Sequence, residues 1–427
     1  GVRALVVITS GLNTAARADL LAVCRRHGMR LVGPNCFGVA VPGIGLDATF
    51  AASHPRPGAA GLVMQSGGLG FATADQLSRL GIGISSFASV GDKLDVSSND
   101  MLMWWQADGV TRLAVLYIES FGNPRKFAST ARRVAASMPV LTVEAGRSAA
   151  GQRAAASHTA AVAAPWVTRE ALFAQAGVIA VPGFGDLIEA AALLATQPVP
   201  AGGTVAIVSN VGGAGVLAAD ACTDLGLIVQ QPHGLTKRRL HALIPQGGAV
   251  GGPIDTTAAI STEGFREVLE LAAADEEVSA MIALVLPTGA TGDLVAAIGQ
   301  ADIRVPLAAV LLDQAESVRL LPGPQDRARI PAYGYPEAAA AAVACAARYG
   351  AWRAEPRGMV PEFGDIRAED ARALVRKFLA AGDGGWMPPD KVAALLGCYG
   401  MPLAVLSIRR GFTDEHHGAG AAFRRRA

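Results

Sequence analysis

Residues 61–84 read GLVMQSGGLGFATADQLSRLGIGI, and this stretch decides the fold class. It opens with an apolar run that predicts a buried strand, and a pattern typical of a helix extends through Leu80. Between the two lies a glycine pair, which lets the backbone turn sharply from strand to helix. A second apolar run begins at Ile82. The stretch therefore predicts one βαβ unit of a parallel sheet.

Residues 204–229, TVAIVSNVGGAGVLAADACTDLGLIV, repeat this design with a second glycine pair. Further strands are predicted after each copy, because short apolar runs alternate with helical patterns. These runs are 113–118, 140–143 and 178–181, then 281–286 and 306–311. We predict an α/β protein with two tandem flavodoxin-like, doubly wound parallel-sheet domains, whose ligands bind at the carboxyl ends of the strands.

The remaining residues predict shorter pieces around these two domains. The first 45 residues give a strand, a helix and a strand, which is the remnant of a larger domain, and residues 42–57 carry the prolines and glycines of a connector. The predicted segments are a remnant at 1–45, domains at 56–198 and 202–352, a linker and helix at 353–385, a helix–turn–strand piece at 386–408 and a disordered tail at 409–427.

Composition excludes several classes of partner. A formal net charge of +1 gives no bulk attraction to nucleic acid or acidic membranes. No apolar stretch reaches the roughly 18–20 residues of a membrane helix. The five cysteines are odd in number and lack the spacing of metal ligands, so we expect reduced thiols, a cytoplasmic protein and no metal site.

The two glycine pairs have a chemical interpretation and a structural one. Free amides in the first turn of a helix attract anions, so Ser66, Gly67 and Gly68 could bind phosphate. The matching turn offers Gly212, Gly213 and Ala214. Two such helix starts could converge on one phosphoryl group. The alternative is that each is a packing turn, since many α/β proteins have glycine at such turns.

His158 is the predicted chemical centre. It lies in RSAAGQRAAASHTAAVAAP, a run of small residues that could carry an imidazole between two sites. Neutral imidazole is nucleophilic near neutral pH, and a carboxylate can orient its second nitrogen. Glu119 follows the strand at 113–118 and is the predicted partner. The alternatives are a surface histidine on a loop and a carboxylate that caps a turn.

Seven short motifs, taken together, resemble the succinyl-CoA synthetase superfamily, and more closely the NDP-forming acyl-CoA synthetases, which include the ADP-forming acetyl-CoA synthetases. The motifs occur in the order of that family. They are GPNCFGV (33–39), QSGGLG (65–70), SVGDKLDVSSND (89–100), YIESFGNPRKF (117–127), SHTAA (157–161), SNVGGAGVLAADA (209–221) and GGPIDTT (251–257). Ala160 departs from the glycine that is usual after His-Thr.

The resemblance implies an acid–thiol ligase that interconverts acyl-CoA, ADP and phosphate with carboxylic acid, CoA and ATP. Acyl phosphate and a phosphohistidine at His158 would be its intermediates. It places Asn35 and Cys36 near the thiol end of CoA, makes 1–45 the remnant of a Rossmann-like CoA-binding domain, and makes 386–408 the start of an ATP-grasp domain. We therefore expect a chain truncated at both ends, with the sites for ATP or ADP and for Mg²⁺ elsewhere.

Two assemblies fit this expectation, a homodimer and a complex with a separate ATP-grasp subunit. The rival function is a non-catalytic module that senses CoA or nucleotide, like the regulatory body of a protein acetyltransferase. Such regions often lack the histidine, and this chain keeps His158, which favours the enzyme.

Overall fold

The structure is a computed structural model that describes residues 1–159, 166–289, 291–324, 329–356, 358, 363–382 and 385–401, with the backbone alone for 155–159 and 166. The chain divides into two compact units, Gly1–Glu355 and Pro356–Ala427. The first unit contains both predicted repeats. The predicted tail at 409–427 lies outside the described residues.

The chain opens with a small βαβ piece. It consists of β1 (Ala4–Val6), α1 (Thr14–Arg26) and β2 (Arg30–Val32), and the two strands pair in parallel. Asn13 caps α1 by accepting a hydrogen bond from the Ala16 amide at 2.9 Å. These elements agree with the order predicted for the start of the chain.

The first repeat forms a seven-stranded sheet in the order β4-β3-β6-β5-β7-β8-β9. Its five parallel strands follow the flavodoxin-like order 2-1-3-4-5, which confirms the predicted fold class. The strands are β3 (Gly38–Val41), β4 (Leu46–Thr49), β5 (Pro57–Met64), β6 (Ile84–Ser89), β7 (Leu113–Tyr117), β8 (Val140–Val143) and β9 (Val178–Val181). The helices are α2 (Gly67–Arg79), α3 (Ser98–Ala107), α4 (Pro124–Ala135), α5 (Ala149–Thr159), α6 (Trp166–Ala176) and α7 (Phe184–Thr196).

The predicted connector at 42–57 was wrong in part. Its residues include β4, which forms an antiparallel hairpin with β3, and β3 pairs with β6 of the main sheet. The partner strand comes more than 40 residues later, so no local pattern shows this pairing. The sheet therefore begins before residue 56, at which the sequence places the start of the domain.

The second repeat forms a sheet of eight strands in the order β12-β13-β10-β14-β15-β17-β16, with β11 also on β10. The parallel strands β11, β10, β14, β15 and β17 again follow the order 2-1-3-4-5. The strands are β10 (Thr204–Ser209), β11 (Ile228–Val229), β12 (Ala249–Val250), β13 (Ile254–Asp255), β14 (Ala280–Val285), β15 (Leu307–Leu311), β16 (Val318–Leu321) and β17 (Ile330–Tyr333). The helices are α8 (Gly212–Asp224), α9 (Gly234–Leu243), α10 (Thr262–Ala273), α11 (Leu294–Gln300) and α12 (Pro336–Ala354).

The two sheets share a hydrophobic core, and α7 and α12 pack together between them. The Tyr333 hydroxyl donates to the Glu189 carbonyl at 3.0 Å, and the Tyr349 hydroxyl donates to the Ala135 carbonyl at 2.7 Å. Buried hydroxyls need such partners, so these bonds fix the sheets in one arrangement. The two repeats therefore fold as one body.

The second compact unit contains α13 (Ala368–Ala380) and α14 (Pro389–Gly397). The Arg367 amide donates to the Cys398 carbonyl at 2.9 Å, which joins the start of α13 to the end of α14. Helices are found where the sequence predicts them. Residues 402–408, which hold the predicted strand of an ATP-grasp start, lie outside the described residues.

Candidate active site

The carboxyl ends of β5 and β7 form the centre of the site. In the order 2-1-3-4-5, the chain runs from the first strand to its neighbour on one side and returns on the other, and ligands bind where this order reverses. Gln65 follows β5, and Glu119 lies two residues after β7. The Gln65 side-chain oxygen, Oε1, accepts hydrogen bonds from the Glu119 amide at 2.7 Å and the Ser120 amide at 2.9 Å. Gln65 therefore fixes the backbone that carries Glu119.

Lys93 approaches the same strand end from the loop after β6. Its ammonium donates to the Ser120 carbonyl and, at 3.4 Å, to Gln65 Oε1. Burial lowers the pKa of Lys93 to about 8, and the Glu119 carboxylate opposes that shift. A half-buried cation thus stands near the predicted histidine partner.

Arg169 on α6 supplies a second cation. Its side chain is 4% exposed, and its guanidinium donates to the Ile118 carbonyl at 2.9 Å and the Ala145 carbonyl at 2.8 Å. Burial lowers the pKa of Arg169, while Tyr117, Glu119 and Glu144 act in the opposite direction. Arg169 therefore joins the ends of β7 and β8 and adds positive charge beside Glu119.

Glu144 follows β8 and leads towards α5, the helix that carries His158. Its carboxylate pairs with Arg147 at 3.4 Å, and burial raises the pKa of Glu144 against the effect of that arginine. The backbone of α5 ends at Thr159, and the His158 side chain lies outside the described residues. The contact between His158 and Glu119 therefore stays a prediction.

The first glycine turn lies under an aromatic side chain. A Cβ on Gly67 would be 2.5 Å from the Phe37 Cβ, whereas a Cβ on Gly68 would meet nothing within 4 Å. Phe37 also stacks on Phe71 and contacts Phe50. Packing accounts for glycine at position 67. Within the described chain, a side chain at position 68 would have room, and the φ of Gly68 is not positive, so the backbone does not require glycine there.

The second glycine turn shows the same division. A Cβ on Gly212 would be 2.6 Å from the Asp255 Oδ2, while one on Gly213 would meet nothing within 4 Å. Ala214 turns into the core at 6% exposure. The neighbours of the two helix starts differ, since a carboxylate lies beside α8 and a phenyl ring beside α2. Helix α2 packs chiefly on β5 and β6, whereas α8 packs on α12 and on β10, so the predicted convergence on one phosphoryl group stays a prediction.

Asn35 and Cys36 point to different surroundings. Asn35 is exposed, has a positive φ of 56°, and donates from its amide to Asp92 at 3.3 Å. Cys36 is 5% exposed, its thiol donates to the Val7 carbonyl at 3.2 Å, and burial raises its pKa. The Asn35 side chain is open to a ligand, whereas the Cys36 thiol belongs to the core.

The loop after β6 joins this segment to the centre of the site. In this loop, Gly91 passes so close to the segment at Pro34 and Asn35 that a Cβ on Gly91 would be 2.2 Å from the carbonyl oxygens of both residues. The Asp92 amide donates to the Pro34 carbonyl at 3.0 Å. The motifs GPNCFGV and SVGDKLDVSSND, which are distant in sequence, therefore form one surface with the end of β5.

The second sheet has a related hydrogen-bond arrangement at the point where its own strand order reverses. Asn210 follows β10, accepts from the Leu286 amide at 2.9 Å and donates to the Leu286 carbonyl at 3.0 Å. In the paired registers Met64 faces Tyr117 and Ser209 faces Leu284, so Leu286 is the counterpart of Glu119. In both sheets, a side-chain amide that follows one central strand thus bonds to the backbone that follows the neighbouring strand. A carboxylate stands at that second position in the first sheet alone, at Glu119.

Sequence reasoning gave no role to Gln65, Lys93 or Arg169. Gln65 and Lys93 belong to two of the quoted motifs. The one indication of a role in the sequence was that each has a polar side chain just after a predicted strand. Arg169 lies outside those motifs. Its signal is an arginine within the largely apolar helix Trp166–Ala176, a place where an unpaired charge is costly.

Neither a metal site nor a membrane span is found in the part of the chain that the structure describes. No group of three or more His, Cys, Asp or Glu side chains is placed there to hold a metal ion. The helices described are each too short or too polar to span a bilayer.

Comparison with known proteins follows these two sheets. Residues 57–194 match the succinyl-CoA ligase like flavodoxin domain, and residues 205–355 match the ligase-CoA domain. The subunit alpha of acetate–CoA ligase [ADP-forming] I from Pyrococcus furiosus is 30% identical over 368 residues, which are 83% of this chain and 79% of that protein. The chain belongs to the ADP-forming acyl-CoA synthetase family.

Other members of this family cover different shares of the chain. Acetate–CoA ligase [ADP-forming] I of Archaeoglobus fulgidus is 30% identical over 97% of this chain, which spans 60% of that relative. The acetyl-coenzyme A synthetase 1 of Ca. Korarchaeum cryptofilum, solved in complex with phosphate and ADP, aligns with a TM-score of 0.74 at 29% identity. That alignment covers 82% of this chain and 78% of the solved one.

Proposed function

We propose that this chain carries out the acyl-CoA and phosphohistidine steps of an ADP-forming acyl-CoA synthetase. The observation that carries the proposal is the position of Glu119 at the switch point of the first sheet, on backbone that hydrogen bonds hold in place. Gln65 accepts from the Glu119 amide, and Lys93 donates to the carbonyl of the next residue, Ser120. The helix that bears His158 begins beyond the neighbouring strand end. The second sheet has Leu286 at the corresponding place, so only one sheet of the pair has this chemistry.

The proposed reaction proceeds in three displacements. A phosphate oxygen attacks the thioester carbonyl of acyl-CoA, the C–S bond breaks, and CoA leaves as a thiolate that takes up a proton. A ring nitrogen of His158 then attacks the phosphorus of the acyl phosphate, and the P–O bond breaks to release a carboxylate. An oxygen of ADP finally attacks the phosphohistidine, and the N–P bond breaks to give ATP.

The chain's own groups would orient these steps. Glu119 accepts the N–H of the imidazole, which directs the other nitrogen at phosphorus and favours the charged ring. Amides at Ser66, Gly67 and Gly68 and at Gly212, Gly213 and Ala214 attract the phosphoryl group. Each helix start contributes about 0.3–1 kcal/mol when exposed and up to about 2 when partly buried.

CoA, when bound, supplies the thiol that carries the acyl group. The exposed Asn35 carboxamide suits a polar contact to it, while the buried Cys36 contributes through the backbone and not through its thiol. We assign ATP or ADP, and Mg²⁺, to a separate ATP-grasp subunit, since two relatives in Pyrococcus furiosus are named as alpha subunits. The five buried free cysteines favour a cytoplasmic setting.

The test is transfer of a labelled phosphoryl group. The chain is incubated with ³²P-labelled acetyl phosphate, or with acetyl-CoA and labelled phosphate, and the acid-labile label is located by mass spectrometry under alkaline conditions. We expect label on His158, none in His158→Ala, and a rate lowered by about 10²-fold or more in Glu119→Gln. Glu276→Gln, at an exposed position, is the matched control.

Two outcomes would refute the proposal. One is equal labelling of His158→Ala and the unchanged chain. The other is no labelling even when the ATP-grasp subunit of a family member is supplied. Calorimetric CoA binding without any labelling would favour the sensing module instead.

A further inference from the structure

Two consecutive residues, Asp92 and Lys93, contact two different parts of the candidate site. Asp92 pairs with Arg17 of α1 at 2.8 Å and accepts from Asn35 at 3.3 Å. Lys93 bonds to Ser120 and Gln65 at the ends of β7 and β5. A single turn therefore links the segment predicted to meet CoA with the strand end that bears Glu119.

The backbone of this turn is fixed in an uncommon conformation. Lys93 has a φ of 43°, in the left-handed region that non-glycine residues seldom adopt. Its amide donates to the Val90 carbonyl at 2.8 Å, and Gly91, two residues before it, has no room for a side chain. Backbone strain of this kind persists where the surrounding structure enforces it, and it is concentrated at functional sites.

The Lys93 ammonium has three hydrogens to donate. It donates to the carbonyl of Ser120 and to Gln65 Oε1, the same oxygen that accepts from the amides of Glu119 and Ser120. The lysine thus holds both the carbonyl and, through Gln65, the amides of this short segment. Its charge also acts on Glu119.

We propose that Lys93 is a positioning residue that holds the Glu119 carboxylate in place for the phosphohistidine step and links that place to the segment around Asn35. The inference rests on the proposed function, in which Glu119 orients His158. Lys93 acts through Gln65, Ser120 and Glu119 and needs no contact with substrate.

Hydrogen exchange tests the positioning without any catalysis. Lys93→Met removes the charge and keeps most of the length, Lys93→Arg keeps the charge, and Lys237→Met is a control at an exposed lysine of α9. We expect exchange at the amides of Glu119 and Ser120 to rise about tenfold or more in Lys93→Met, and by less than about threefold in the other two variants. Unchanged exchange in Lys93→Met would overturn the inference, whatever the activity.

Labelling by ³²P-acetyl phosphate tests the consequence for the reaction. Lys93→Met should slow labelling of His158 by about tenfold or more, while Lys93→Arg recovers most of the rate and Lys237→Met keeps all of it. If exchange rises in Lys93→Met but its labelling rate does not fall, the positioning role is refuted. If the unchanged chain takes no label even when the ATP-grasp subunit of a family member is supplied, the proposed function and the role of Lys93 in it both fail, and the exchange result alone decides whether Lys93 holds the strand end.

Discussion

Gly67 lies against Phe37, and a Cβ on Gly67 would stand 2.5 Å from the Cβ of that phenylalanine. The next residue, Gly68, faces open space. The second repeat has the same arrangement, with Gly212 against Asp255 and Gly213 open. Packing thus requires glycine at position 67, where the close atom is the Phe37 Cβ, whereas at Gly212 the close atom is the end of the Asp255 side chain, which can move. The second glycine of each pair has no such requirement within the described chain.

This difference predicts separate effects on stability and on activity. Gly67→Ala should lower the free energy of unfolding by about 1–3 kcal/mol, because Phe37 must move. Gly68→Ala should leave it unchanged or raise it by up to about 1 kcal/mol, since alanine favours a helix. If a phosphoryl group approaches the α2 start, Gly68→Ala should nevertheless slow labelling of His158 by at least about tenfold.

Urea unfolding and the ³²P labelling assay measure the two effects, and Gly213→Ala paired with Gly212→Ala repeats the comparison at α8. A Gly68→Ala variant that labels His158 at the full rate would show that the first turn of α2 does not touch the phosphoryl group.

Arg169 gives a second prediction, about stability. Arg169→Met would leave the buried carbonyl of Ile118 and the partly buried carbonyl of Ala145 without these donors, and a buried polar group without a partner costs about 1–3 kcal/mol. We expect the free energy of unfolding to fall by about 3 kcal/mol. Arg169→Lys should lower the free energy of unfolding by less, because an ammonium can satisfy one of the two carbonyls.

Urea unfolding monitored by circular dichroism measures this loss, with Arg238→Met on the exposed side of α9 as the control. Equal stability of Arg169→Met and the unchanged chain would mean that Arg169 does not join the ends of β7 and β8.

Lys93 gives a third prediction, about pH. Burial lowers its pKa in the folded protein to about 8, below the ordinary value of 10.5. Between these two values the unfolded chain binds more protons than the folded one, so the contribution of Lys93 to the free energy of unfolding rises with pH. Between pH 8 and 10.5, the free energy of unfolding of the unchanged chain should therefore rise relative to that of Lys93→Met, by on the order of 2 kcal/mol.

Urea unfolding at pH 7.5 and at pH 10, for both proteins and for Lys237→Met, measures the difference. Other groups titrate alike in all three proteins and cancel. A constant difference between Lys93→Met and the unchanged chain across this range would show that the lysine is not desolvated in solution.

Part of the candidate site could be predicted from single residues of the sequence, and part could not. Glu119 was predicted because a carboxylate after a buried strand lies at the edge where ligands bind, and the structure places it there beside Gln65. Cys36 shows the limit. Its place next to Asn35 is a fact of sequence, but the direction of its thiol into the core depends on the Val7 carbonyl, 29 residues earlier.

The sequence by itself determined the α/β class, the two repeats and their sharp strand-to-helix turns. These follow from apolar periodicity and glycine, which act on neighbouring residues. Only the tertiary structure decided that β3 and β4 extend the first sheet, that Lys93 reaches Ser120, and that Arg169 bonds to Ile118. Hydrogen bonds and buried charges are satisfied by whichever groups folding brings near, and those groups come from residues that no local pattern connects.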